Sequence, residues 1–136
     1  MCVGDLMTEG VATVNRNDTL ATADHVMRLG RIRHMPVVDD DGTLVGLVSQ
    51  RDLFRGALLR ALGYGRNVED RVLDALVVKD AMSADIVTAS RDMPLREAAR
   101  LMTERKIGCL VILEEGAPTG ILTEGDFVAL VAREDG

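Results

Sequence analysis

The chain has 136 residues, 47% of them apolar, which suffices for a buried core in one compact domain or two small fused halves; its net charge is −6. With one tyrosine, two phenylalanines and no tryptophan on an acidic chain, nucleic-acid binding is not expected. No apolar run approaches the ~18 residues of a membrane span, and "MCVGDLMTEG" lacks the basic-then-apolar order of a signal peptide, so a soluble cytoplasmic chain without membrane contact is expected. Cys2 and Cys109 form neither a disulfide framework nor a paired metal-ligand spacing.

In chain order, a β-rich segment, "VATV" (11–14), leads past Asp18-Thr19 into a helix-period stretch on which Leu20, Ala23, Val26 and Met27 share one face. Two apolar strands follow, "MPVVD" and "TLVGLVS", joined as a hairpin by the acidic turn "DDDG", and then a closing helix, "QRDLFRGALLRAL". Residues 63–77, "GYGRNVEDRVLDALV", open on two glycines and regain helical spacing at Val68, Val72, Leu73 and Leu76, which predicts a loop and a short connecting helix. The same order then returns: "IVTA", a helix with Pro94 at its first turn and Leu95, Ala98, Leu101 and Met102 on one face, strands "CLVIL" and "TGILT" around "EEG", and a closing helix "EGDFVALVAR".

The chain is thus a repeat. A shift of 75 sets "VGDLMT" on "VKDAMS", Leu20 on Leu95, Met27 on Met102 and Ile32 on Ile107; after the shortened turn a shift of 74 sets Gly46 on Gly120 and Asp52 on Asp126. A one-residue indel at a glycine-containing hairpin turn is tolerable. The expected organisation is α/β, with two pseudo-symmetric β-α-β-β-α repeats, 1–62 and 78–136, around a connector at 63–77. Each half is marginal alone, so the two are expected to pack through their apolar faces into one globule.

The openings "DLMT" and "DAMS", the middle "RIRHMPVVDDDGTLVGLVSQRDL", and the duplicated glycine-x-x-hydroxyl-x-x-Asp in "GLVSQRD" and "GILTEGD" resemble a tandem pair of cystathionine-β-synthase (CBS) domains, a Bateman module. The resemblance covers essentially the whole chain. It implies sheets that pair between the halves, two clefts for adenosyl ligands (AMP, ADP, ATP or S-adenosylmethionine), a regulatory role with no enzymatic activity and no required cofactor, and a disc-like homodimer acting on a regulated protein that the sequence does not identify.

Taken alone, Ser49-x-x-Asp52 and Thr123-x-x-Asp126 are capping boxes, each stabilising a helix start by about 1 kcal/mol. The same geometry has a second use. A strand that runs straight into a helix leaves amides and the positive dipole end where a phosphate can sit, and an aspartate can accept from the two ribose hydroxyls in charge-assisted bonds of ~1.5–3 kcal/mol each. The glycine three residues before the hydroxyl clears room for a ligand or a strand.

The resemblance extends each cleft to matched positions. In the first these are Val11 and Thr13 on one side, Ile32 and His34 on the other, with Ser49 and Asp52; in the second, Ile86 and Thr88, Ile107 and Cys109, with Thr123 and Asp126. For Ile32 and Ile107 a plain core role is the competing reading. Arg33, His34 and Arg51 give the first cleft a basic group that suits phosphate, whereas Gly108, Cys109 and Gly125 stand at the matching places of the second, with Glu124 beside its cap. An AMP- or ATP-like anion is therefore expected in the first cleft, and a less charged adenosyl group or nothing in the second.

Other chemistry is poorly supported. Cys109 within "GCLVIL" reads as a buried, inert thiol, His25 as solvated, and the aspartates of "DDDG" as turn formers, so no catalytic pair and no metal site is expected. The competing function is a docking and dimerisation module with vestigial clefts, because the closing helices carry more apolar side chains than one packing face requires.

Overall fold

The computed structural model describes residues 1–55, 58 and 76–134, so the expected connecting helix, apart from Leu76 and Val77, lies outside the described residues. Two compact units emerge, and they cut across the sequence repeats: Met1–Val11 joins Ile86–Gly136, while Ala12–Asp85 forms the other unit. Each opening segment, "VGDLM" or "VKDAM", therefore packs in the unit built by the other copy.

In the Ala12–Asp85 unit, β2 (Val14–Asn15) runs parallel to β3 (His34–Val38), which pairs antiparallel with β4 (Leu44–Ser49). Between β2 and β3 lies α2 (Leu20–Gly30), whose N-cap Thr19 accepts from the Thr22 amide, as the Asp18-Thr19 signal predicts. Its apolar stripe, Leu20, Ala23 and Met27, joins Val14, Met35, Val37 and Val48 in a core with the opening-segment residue Val78. Helix α3 follows β4 and is described over residues 50–55.

The other unit repeats this plan. Its sheet runs β1 (Thr8–Glu9), β7 (Ala117–Thr123), β6 (Cys109–Glu114), β5 (Thr88–Ala89), with β5 parallel to β6 and the other pairs antiparallel. Helix α4 (Leu95–Arg105) buries Leu95, Ala98 and Met102, and α5 (Glu124–Arg133) closes the unit. Pro94 stands at the N-cap of α4, one place before the first turn expected for it. The core here includes Val3, Leu110, Ile112 and Leu122, with Val3 supplied by α1 (Val3–Leu6) of the opening segment.

The opening segments dock by matching bonds. The Val3 amide donates to the Met93 carbonyl at 2.8 Å, and the Val78 amide to the Asp18 carbonyl at 2.8 Å. Thr8 pairs with Ile121 on β7, and Ser83 pairs with Leu47 on β4. These contacts explain the glycines of "GLVS" and "GILT". A Cβ on Gly46 would collide with Met82 Sδ and lie 3.1 Å from the Ser83 carbonyl; on Gly120 it would lie 2.8 Å from Met7 Sδ and 3.0 Å from the Thr8 carbonyl. The close approach these glycines permit is made by the exchanged strand.

The indel has a local solution. In the short hairpin Glu115 (φ 53°) and Gly116 (φ 83°) make a two-residue turn with both residues in the left-handed region, as a type I′ turn requires. The longer turn is held by Asp39, whose Oδ1 accepts from the amides of Asp41 and Thr43, both at 3.0 Å.

Candidate functional site

Within the Ala12–Asp85 unit the hairpin register sets His34 directly across from Ser49, the last residue of β4. The chain turns there into α3, and the cap expected from the sequence is present: the Ser49 amide donates to Asp52 Oδ2 at 2.8 Å, and the Asp52 amide donates to Ser49 Oγ at 3.1 Å. The Gln50 amide donates to the Arg33 carbonyl at 2.8 Å, which ties the segment before β3 to the helix start. Of the first-turn amides, that of Arg51 is used by none of these bonds, and neither is Asp52 Oδ1. A half-buried carboxylate with one oxygen committed to the fold and one left over can hold its helix and accept from a ligand together.

Arg33 and Arg51 are exposed and His34 is half-buried, so basic residues stand beside and within the first turn of a helix whose dipole end is positive. Thr13 is exposed just before β2 in the same unit. Val11 belongs to the other unit.

The Met1–Val11 and Ile86–Gly136 unit holds all six second-site residues. Cys109 pairs directly with Thr123, the Thr123 amide donates to Asp126 Oδ2 at 2.8 Å, and the Glu124 amide donates to the Gly108 carbonyl at 3.1 Å. Here the threonine hydroxyl also lies 3.3 Å from Asp126 Oδ2. Thr88 is exposed in β5, and Ile86 precedes it, half-buried. Burial, and secondarily the Asp126 carboxylate, push the Cys109 thiol up to about 12. At neutral pH it is a protonated, packed thiol and a poor nucleophile.

Ile32 and Ile107 both pack against their units' apolar cores. Their placement comes from residues that periodicity alone passes over. Arg31 (φ 53°) and Lys106 (φ 55°) end α2 and α4 in the left-handed conformation, and the next amide reaches back, Ile32 to the Met27 carbonyl at 3.0 Å and Ile107 to the Met102 carbonyl at 3.1 Å. That is a Schellman-type end built without glycine. The available signal was the duplication of a cation at one fixed offset before each β3-type strand.

His25 is exposed on α2. In the acidic turn, Asp40 Oδ1 accepts from the Asn15 amide group at 2.9 Å, and among the described residues no group of His, Cys, Asp and Glu is placed to hold a metal ion. Nor is any described helix long and apolar enough to cross a membrane.

The CBS domain family model matches residues 3–58 and again 78–133. The chain belongs to the CBS domain family. It is 32% identical over 125 residues to the CBS domain-containing protein YhcV of Bacillus subtilis, covering 92% of this chain and 81% of that protein. Among solved CBS structures, CBSX2 in complex with AMP superposes with a TM-score of 0.77 at 28% identity, covering 97% of this chain and 96% of that one. The chain spans a minor part of other curated relatives: 43% of one, and 24% of the homoserine O-acetyltransferase of Methanococcoides burtonii, to which it is 30% identical over 130 residues. A CBS pair thus also occurs as a segment of longer enzymes.

Proposed function

We propose that this chain is a cytoplasmic regulatory module that binds an adenosyl ligand (AMP, ADP, ATP or S-adenosylmethionine) and controls a partner protein without catalysing a reaction itself. The observation that carries this reading is the helix start at Ser49 and Asp52. One carboxylate oxygen caps the helix and the other is left for ribose hydroxyls, while Arg33 and His34 beside the helix start and Arg51 in its first turn supply basic residues for a phosphate. The similarity to CBSX2 in complex with AMP supports the ligand class. A ligand can shift the arrangement of the two halves, or of a dimer, only by the margin with which it binds one arrangement better. Titration calorimetry with AMP, ATP and S-adenosylmethionine tests the proposal, with thermal melting in parallel. Binding of at least one at micromolar affinity with a raised melting temperature is expected, and no heat and no shift with any of them would overturn it.

The docking reading is favoured by a different observation. Phe54 (64% exposed), Leu58, Val128 (68%) and Val131 (67%) on the two closing helices leave large apolar side chains in solvent. We propose that these helices mediate homodimerisation, compatible with the ligand role. Light scattering at micromolar concentration should give twice the chain mass, and a monomer would refute it.

A further inference from the structure

The two helix starts share one backbone and differ in charge. Where the first has Arg33, Gln50 and Arg51, the second has Gly108, Glu124 and Gly125, so two cations are lost and one anion is gained around the same capping box. The Glu124 side chain is not splayed away from this place. Its Cδ lies 3.6 Å and its Oε1 3.7 Å from the point where a Cβ on Gly108 would stand, while its amide is bonded to the Gly108 carbonyl. The carboxylate thus lies within ordinary contact distance of the Cβ position of residue 108, beside the helix start. Among the described residues Glu124 forms no ion pair. With Asp126 it puts about two negative charges against a dipole end equivalent to roughly +0.5.

Resting on the adenosyl-ligand reading above, we infer that Glu124 sets the charge accepted by the second site: it disfavours adenosine 5′-phosphates and favours an adenosine whose 5′ substituent carries a positive charge. Asp126, as the counterpart of Asp52, serves the ribose in either case. A single carboxylate within about 6 Å of a ligand charge at a partly solvated site changes affinity by roughly tenfold.

The test uses the full chain with Asp52→Ala to silence the first site, its folding checked by thermal melting, and titrates adenosine, AMP and S-adenosylmethionine. S-adenosylmethionine should bind about tenfold or more tighter than AMP, and adding Glu124→Gln should shift that ratio toward AMP by at least about tenfold while leaving adenosine within about twofold. Adding Gly125→Arg in place of Glu124→Gln should also raise AMP affinity. Adenosine binding with a ratio that Glu124→Gln does not move would sink this inference and leave the module reading standing, as would adenosine binding to the unaltered chain but not to Asp52→Ala. Failure of all three compounds on the unaltered chain would remove the module reading and this inference together.

Discussion

Asp52→Asn separates the two roles of one carboxylate. In the folded chain Asp52 Oδ2 accepts the Ser49 amide at 2.8 Å, and an asparagine oxygen can make the same bond, so the cap survives without charge assistance. The expected loss of stability is about 0.5–1 kcal/mol, against about 1–2 kcal/mol for Asp52→Ala, which removes the acceptor. With its oxygen held by Ser49, the asparagine presents an NH2 group where the carboxylate offered Oδ1. A ribose then loses charge-assisted acceptance worth ~1.5–3 kcal/mol, and AMP affinity should fall about 10- to 100-fold. Calorimetry reads the affinity and thermal melting the stability on the same sample. An Asp52→Asn chain that melts lower yet binds AMP within twofold of the unaltered protein would show that this carboxylate is only a cap.

Three further outcomes follow from the packing. Gly46→Ala and Gly120→Ala each press a methyl group onto a methionine sulfur and a carbonyl of the exchanged strand, and each should cost about 1–3 kcal/mol in denaturant unfolding; unchanged midpoints would mean that these strands are not seated as described. The Cys109 thiol, pushed up to about 12 from an ordinary 9.0, stays protonated in the fold after an unfolded chain has ionised it. Its contribution is therefore complete below pH 9 and is lost as pH rises toward 12, up to about 4 kcal/mol, so Cys109→Ala should flatten the alkaline fall in stability, and identical alkaline profiles would refute this. Iodoacetamide at pH 8 should alkylate Cys2, which is partly exposed, and spare Cys109 until the chain is unfolded, as mass spectrometry of the labelled peptides would show.

The two helix caps of the candidate site were legible in the residues because their chemistry is local. A capping box spans four residues, so Ser49 with Asp52 was readable as a cap, whereas the register that sets His34 across from Ser49 is supplied by the structure. The alternation of β-rich and helix-period segments, local as well, gave the α/β class. What periodicity could not supply was the partner of each glycine. Gly46 and Gly120 signal a close approach, but whether a ligand or a strand makes it depends on segments 36 and 113 residues away in the chain, Met82 and Met7. The left-handed Arg31 and Lys106 were missed because such helix ends are usually read from glycine.

The exchange of opening segments also changes what a repeat is in this molecule. The sequence copies, as the family matches bound them, are 3–58 and 78–133, yet Val78 is fully buried in the core of the unit that holds β2, β3 and β4, and Val3 in the core of the other. Each copy therefore supplies one buried valine and one strand pairing to the other's unit. A fragment ending at residue 62 lacks Val78, the pairing of Ser83 with Leu47, and the methionine that covers Gly46. Losing one fully buried valine and leaving its site open costs on the order of 2–3 kcal/mol before the unpaired edge of β4 is counted, a large share of the stability of so small a unit. Such a fragment should show no cooperative thermal transition, whereas a cooperative melt at a temperature near that of the full chain would mean that the exchanged segments add little and that each copy folds on its own.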